Sequence, residues 1–331
     1  MMPTPLCCSL RLDALLAASS VPVLDPASPN AVTIRHLFMV VLLICLAILV
    51  VVVTLIVTSL VRFRSAGTDI PRQDFGSHRS EVVWAITPGL IVLAFSVISA
   101  KLILSIIAMP TSQVSEAGDA DLVVVGHQWW WEVRYPASGA VTANEIHVPV
   151  GRKLRVRVES ADVIHSFWVP QLGPKMDMIP GRHNFVWLQA DRPAVYEGAC
   201  SEFCGDQHAW MRFIVVAEAP AQYEAWIARQ VQPAPGPEGA VAQAGRSFFF
   251  AQTCANCHAI GGTSAAANAA PDLTHLAARS QLAAGVIPNT PQDLARWLRN
   301  PQQLKPGCQM PNFSLNEDQV TQLVAYLEGL R

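Results

Sequence analysis

Four soft or borderline metal ligands crowd into twelve residues of this chain: Cys200-Ser-Glu202-Phe-Cys204, then His208 and Met211. Thiolate, imidazole and thioether together favour copper over magnesium or calcium, which prefer oxygen. Two thiolates four residues apart on one returning loop can each bridge two metals, and the set then needs a second imidazole. His127, His147, His165 and His183 are the upstream candidates, and His165 sits where a loop should follow the Leu154–Glu159 strand. A Cys200–Cys204 disulfide would leave His208 and Met211 as coincidence, and a lone zinc has little use for a thioether. A second chemistry lies downstream. Cys254-Ala-Asn-Cys257-His258 has the spacing of covalent haem attachment, in which two thiols form thioethers and the adjacent His reaches the iron. The opposite axial ligand must follow in the chain, where Met310 and His275 are the choices. Met310 stands in Lys305-Pro-Gly-Cys-Gln-Met310-Pro, a Pro/Gly loop suited to presenting a ligand, and is the one expected. A Met–His pair raises a haem's potential, which suits a carrier late in a respiratory chain.

The chain that must position these ligands has 331 residues, enough for two or three domains. Apolar residues make up 51% and charged ones 15%, against roughly 25% charged in soluble domains. That excludes a disordered chain and a wholly soluble enzyme. A net charge of −2 supplies no basic field for nucleic acid. The apolar excess is concentrated. Leu37–Val61 runs for 25 residues without a charge, and Val82–Ala100 continues past Lys101 to Met109. Each run can cross a hydrocarbon core of roughly 30 Å, with Lys101 near one end where its stem can snorkel. The short loop between them carries Arg62, Arg64, Arg72 and Arg79, and basic short loops stay in the cytoplasm. Everything after Met109 is therefore expected outside. Residues 1–30 lack a basic n-region, the stretch around Leu15–Ser20 is short for the apolar region of a signal peptide, and Cys7 and Cys8 have no apolar run ahead of them to mark a lipid anchor.

Residues 113–221 alternate with period two. Leu154, Val156 and Val158 face one way, with Arg155, Arg157 and Glu159 opposite. Asp121–Val125, Glu145–Val148, Phe185–Leu188 and Arg212–Val216 read as further strands of a small antiparallel sandwich. Gln232–Gly239 holds three prolines and two glycines, and a linker is set at 222–240. Residues 241–331 turn helical. Ser314-Leu-Asn-Glu317 reads as a capping box ahead of Val320, Leu323, Val324 and Leu327, and Thr290-Pro291 with Asp293 opens another helix. The expected order is an N-terminal segment 1–35, a hairpin 36–112, a β domain 113–221, the linker and a helical domain 241–331.

Together these features resemble subunit II of cytochrome c oxidase, of the type with a binuclear CuA centre, extended by a fused C-terminal cytochrome c domain. The resemblance rests on Cys-x-Glu-x-Cys-x3-His-x2-Met with His165 thirty-five residues before Cys200. It rests also on Gly126-His-Gln-Trp129-Trp130-Trp131, on Asp162-Val-Ile-His165-Ser and on Leu172-Gly-Pro-Lys-Met-Asp-Met-Ile-Pro180-Gly-Arg. It covers about residues 25–220 and resumes in the extension. The fold class it implies is a multidomain membrane protein: a two-helix transmembrane hairpin, an all-β cupredoxin-like sandwich and an all-α mono-haem cytochrome c domain.

Residue by residue, the resemblance implies that His165, Cys200, Cys204, His208 and Met211 bind two coppers by their side chains. Glu202 would contribute its backbone carbonyl, and its carboxylate would reach a magnesium ion at the contact with subunit I. Trp129 matches the tryptophan through which electrons arrive, and Glu81 the carboxylate at the mouth of a proton channel. Cys254, Cys257, His258 and Met310 would hold haem c. The function implied is electron relay from cytochrome c or haem c through CuA to haem a in subunit I, for oxygen reduction coupled to proton pumping. Partners would be subunits I and III, cytochrome c or another donor, and a bacterial inner membrane crossed twice, with both metal domains on its periplasmic side. The chain would not reduce oxygen by itself, because it lacks the intramembrane histidines of a haem a and copper B site.

A CuA-containing nitric oxide reductase is the rival reading, and Glu81 and Glu202 weigh against it. Nitrous oxide reductase carries Trp where Glu202 stands and has no such hairpin. Second subunits of quinol oxidases lack the copper ligands, and a copper chaperone has no use for a fused haem.

Overall fold

A computed structural model of the chain describes residues 22–64, 76–107 and 120–331. The apolar runs form helices α1 (Pro29–Arg62) and α2 (His78–Ile107). At 34 and 30 residues they measure about 51 and 45 Å, longer than a bilayer core is thick. Their apolar side chains stand exposed rather than packed in a protein core. Inside them the hydroxyls of Thr54, Thr87 and Ser96 return to the carbonyl four residues back, which satisfies them without water. Helix α1 begins at Pro29, earlier than the boundary at residue 36. Arg62 closes α1, and Glu81 lies in the first turn of α2. Arg72, Met109, Cys7 and Cys8 lie outside the described residues.

The β domain pairs two five-stranded sheets. The first contains β1 (Leu122–His127), β2 (Trp130–Tyr135), β3 (Ala140–Ala143), β5 (Leu154–Ser160) and β8 (Asn184–Leu188), ordered β3-β2-β1-β5-β8. The second contains β4 (Glu145–Pro149), β6 (His165–Trp168), β7 (Met176–Met178), β9 (Ala194–Cys200) and β10 (Arg212–Glu218), ordered β4-β10-β9-β6-β7. In β5, Leu154, Val156 and Val158 are buried between the sheets while Arg155 and Arg157 turn outward, the alternation expected of a half-buried strand. Trp131, Phe167 and Phe213 pack their rings 4.9–6.2 Å apart in that core.

The sandwich is not purely antiparallel, as the sequence suggested. β1 runs parallel to β5, and β4 runs parallel to β10. The chain changes sheets between β3 and β4 and again between β4 and β5, so strands that become neighbours approach from the same end. The linker also needs correction. Helix α3 (Pro220–Gln230) occupies much of it, with Trp226 stacked on His147 at 4.0 Å and packed on Tyr135. Gln230 donates to the Val141 carbonyl, leaving residues 231–238 as the connection.

The helical domain comprises α4 (Gly239–Ala251), α5 (Pro291–Arg299), α6 (Pro301–Leu304) and α7 (Glu317–Leu327), around a core that includes Phe249, Ile260, Leu298, Leu323 and Tyr326. Thr290 caps α5 through the Asp293 amide, with Pro291 at the first position, as expected. The cap of α7 falls two residues later than expected. Asn316, not Ser314, accepts from the Gln319 amide, and the Gln319 side chain accepts from the Asn316 amide. Ser314 instead adopts φ 52° in the preceding loop, and starting at Glu317 turns Val320, Leu323 and Leu327 into the core.

Helices α4 and α7 cross backbone to backbone at Gly245, where a Cβ would stand 1.9 Å from the Gln322 carbonyl oxygen. Gly245→Ala is therefore expected to destabilise the helical domain by about 2 kcal/mol, since overpacking outweighs the gain of roughly 1 kcal/mol in helix propensity. Chemical denaturation followed by circular dichroism checks this. An unchanged midpoint would show that the crossing relaxes freely.

Candidate functional site

Cys200 ends β9 and Met211 immediately precedes β10, so the antiparallel β9–β10 pair brings both ends of the ligand loop together. Between them the loop folds so that Cys204 sits at the centre. Its Sγ lies 3.7 Å from Cys200 Sγ, 3.7 Å from His208 Nδ1 and 3.8 Å from Met211 Sδ. His165 opens strand β6, rather than a loop, and puts Nδ1 3.9 Å from Cys200 Sγ. The Glu202 carbonyl is 3.2 Å from Cys200 Sγ, while its side chain is exposed. A sulfur separation of 3.7 Å excludes a disulfide, whose bond is about 2.05 Å. His165, Cys200 and Cys204 are all buried, with ligand atoms within 4.8 Å of one another. Thus all six expected groups converge. The other imidazoles do not: His127 stacks on Trp130 and bonds Glu132, His147 bonds Glu145 and Glu218, and His183 bonds Glu159.

The chemistry of this donor set fits copper: two thiols that can bind as thiolates, two imidazoles, a thioether and a carbonyl in a buried site. The thiols share their protons unequally. The Cys204 thiol draws Cys200 well below the usual thiol range, helped by His165 and by backbone hydrogen bonds at Glu202 and Ser166, and the same neighbour pushes Cys204 up. A metal that takes both as thiolates replaces that proton. For His165, burial acts downward, but bonds to Cys200 and Asp162 outweigh it and raise its pKa.

Asp162 belongs to the Asp162-Val-Ile-His165-Ser motif, and the fold gives it a role that the motif alone does not. Its Oδ1 accepts from His165 Nε2 at 2.8 Å, which fixes Nδ1 as the free ligand atom, and its Oδ2 accepts from the Gln128 amide at 2.6 Å. Such an outer carboxylate orients the imidazole and raises its basicity. Asp162→Asn is expected to weaken copper binding by about 10- to 100-fold without unfolding the sandwich, read by competition with a copper chelator. Equal affinity would remove Asp162 from the site.

In the helical domain the turn Thr253–Asn256 wraps Cys254 and Cys257 beside His258, with the amides of Cys257 and His258 both donating to the Cys254 carbonyl. His258 Nδ1 lies 2.7 Å from the Pro271 carbonyl. A carbonyl can only accept, so Nδ1 carries the proton and Nε2 is left as a ligand atom. Burial lowers the pKa of His258 and keeps it neutral. These residues and Met310 line one cavity of about 340 Å³, a size suited to a small-molecule group. The cavity also holds Arg279, which is buried and whose Nε has no partner. An anionic group such as a haem propionate would satisfy that orphan, so the residues present fit a haem. His275 does not line the cavity, and its Nε2 bonds the Gln232 carbonyl at 3.0 Å.

Sequence reasoning missed Gln302. Its amide donates to the carbonyls of Cys308 and Met310 at 2.8 Å each and accepts from Gly307, clamping the Met310 loop. Trp129 connects the two sites. Its ring lines the haem-sized cavity while its indole Nε1 donates to the Cys204 carbonyl at 3.0 Å, beside a Gln128 amide bond to the same oxygen at 2.8 Å.

Three families match the chain. Residues 18–102 match the transmembrane domain of cytochrome C oxidase subunit II, residues 139–218 its periplasmic domain, and residues 242–331 cytochrome c. The cytochrome c oxidase subunit 2 of Alkalihalophilus pseudofirmus is 33% identical over 330 residues, covering 98% of this chain and 94% of that protein. That of Bacillus sp. (strain PS3) is 33% identical over 278 residues, covering 79% of this chain and 77% of its own length. Among solved structures, the periplasmic domain of subunit II of cytochrome oxidase from Bradyrhizobium japonicum is 33% identical, covers 36% of this chain and 96% of its own, and has a TM-score of 0.33.

Proposed function

The chain belongs to the cytochrome c oxidase subunit II family, and on that premise we propose that it relays electrons from a cytochrome c donor, by way of its own haem domain, to haem a of subunit I. Oxygen is reduced there, with proton pumping. The observation that carries this reading is the convergence of six ligand groups around Cys204, with Trp129 reaching from the haem-sized cavity to the Cys204 carbonyl.

His165, Cys200, Cys204, His208, Met211 and the Glu202 carbonyl would hold a copper pair, which supplies one-electron chemistry with little change in geometry. Cys254, Cys257, His258 and Met310, which line one cavity, would hold a haem. The chain's own groups do the rest. Asp162 fixes the His165 tautomer, Pro271 fixes that of His258, and Gln302 holds the Met310 loop in place. Burial of Cys200 and Cys204 keeps water away from the sulfurs. Trp129 would take electrons arriving at the β domain.

Glu202, with an exposed carboxylate, would meet a magnesium ion against subunit I. Glu81, exposed in the first turn of α2, would stand at a proton channel. The helical hairpin would then cross a bacterial inner membrane twice, with both metal domains in the periplasm and subunit III as a further partner. The test is metal and haem content of the purified chain in its complex, with an electron paramagnetic resonance spectrum. Two coppers sharing one unpaired electron, beyond the copper B of subunit I, plus one covalent haem per chain are expected. No copper beyond copper B, or one without the shared-electron signal, with the covalent haem intact, would reject the relay.

A further inference from the structure

The β and helical domains form one compact unit, and a buried cation lies between them. Lys305 is 3% exposed. Its Nζ donates to three carbonyls: Trp129 at 3.1 Å and Trp210 at 3.1 Å in the β domain, and Ala283 at 3.0 Å in the helical domain. Burial lowers its pKa to about 8, so the charge depends on those three dipoles. An ammonium has three donors and no acceptor, and here each donor has its own carbonyl.

The three acceptors are not arbitrary. Trp129 reaches the Cys204 carbonyl through its indole, Trp210 immediately precedes Met211, and Lys305 itself opens the loop that ends in Met310. One side chain thus ties the Met310 loop to two segments that touch the copper ligands. Flanking bonds follow the same seam. The Gln207 side chain donates to the Pro306 carbonyl, the Arg212 amide donates to Ala284 at 3.1 Å, and Ser280 donates twice to a Glu145 carboxylate oxygen at 3.0 Å. These flanking contacts, with the buried cluster of Trp130, Ala143 and Ala284, run along the seam, and Lys305 adds to it a buried cation that gathers three carbonyls.

Given the relay reading above, we infer that Lys305 is the positioning residue that locks the haem domain onto the copper domain, and so sets the rate of electron transfer between them. Electron transfer falls steeply as the gap widens, so a lock that removes rocking keeps the chain in its fast geometry. Methionine in this place fills a similar volume but offers no donor, leaving three carbonyls without the ammonium that gathers them. Arginine keeps the charge, but its planar fork cannot aim one nitrogen at three converging oxygens.

The test compares wild type, Lys305→Met and Lys305→Arg in the purified oxidase complex. After flash reduction of the haem, Lys305→Met is expected to pass electrons to copper at least about tenfold more slowly, the cost of a small misplacement. Its haem absorption, copper resonance and both potentials should match wild type. Lys305→Arg should fall between the two. Hydrogen exchange at the Arg212 amide, which needs neither metal, should speed up in the same order.

A wild-type transfer rate with unchanged Arg212 protection in Lys305→Met would overturn the lock. If Lys305→Met does not assemble, Lys305→Arg decides alone, and wild-type values for both readouts would overturn it. Failure of the relay reading would show separately, as a missing copper-pair or covalent haem signal in the wild type.

Discussion

Cys204→Ser is expected to abolish the paired copper centre while leaving the β domain folded. The substitution changes one atom at the point where the site converges: Cys204 Sγ lies within 3.8 Å of Cys200 Sγ, His208 Nδ1 and Met211 Sδ. A serine hydroxyl stays protonated near neutral pH and is a poor soft ligand, so it cannot bridge two coppers. The backbone carbonyl of residue 204 still accepts from Gln128 and Trp129, so the loop keeps its main anchors. The apo-protein should change in stability by about 1 kcal/mol, while copper content drops from two per chain to one or none. Met211→Leu removes one terminal donor and no bridge, so it should keep both coppers and alter only the resonance spectrum. Two coppers in Cys204→Ser would mean that Cys200 alone joins the metals, and the bridging role would be lost.

The contrast between these two variants shows what was legible in the sequence. Ligand type and spacing are local, and a loop pinned at both ends by an antiparallel pair must fold its interior residues together. Cys200, Cys204, His208 and Met211 could therefore be read as one set, and Cys254, Cys257 and His258 as another. The choice among His127, His147, His165 and His183 needed the resemblance, because it depends on β6 lying beside β9 in the second sheet. Sheet direction was hidden for the same reason, since parallel neighbours are distant in sequence.

Asp162, Gln302 and Lys305 are a different case. Each is a common polar residue: Asp162 and Gln302 bond ligands or a ligand loop three to eight residues on, and Lys305 bonds segments far along the chain, but spacing alone does not distinguish any of them from a solvated side chain. Lys305 reads as an ordinary loop lysine until three carbonyls from three segments surround it. Helix α3 hid behind the neighbouring prolines, although Tyr223, Trp226 and Ile227 recur at helical spacing and pack on the β core. The α7 cap offered two starts two residues apart, and only the burial of Val320 and Leu323 selects Asn316. What the sequence conceals is mostly what holds the ligands rather than the ligands themselves.

The axial ligand opposite His258 gives the second large effect. Met310→Ala is expected to leave the haem covalently attached, because Cys254 and Cys257 are untouched, but to open one face of the iron. Carbon monoxide should then bind the reduced protein stoichiometrically, where wild type binds none at this haem. The haem potential should fall, because a Met opposite His is what raises it. Met310 lines the cavity and its loop is held through the Gln302 amide, so the main chain there should keep its place when the side chain is cut back.

His275→Ala is the matched control. That imidazole is buried but lies outside the cavity, bonded to the Gln232 carbonyl at the start of the connection between domains. Its loss should loosen residues 231–238 and leave the haem spectrum and potential unchanged. If carbon monoxide instead bound His275→Ala and not Met310→Ala, the ligand would be His275, and the cavity would have to close around iron by a different route from the one the Pro271 and Gln302 bonds define.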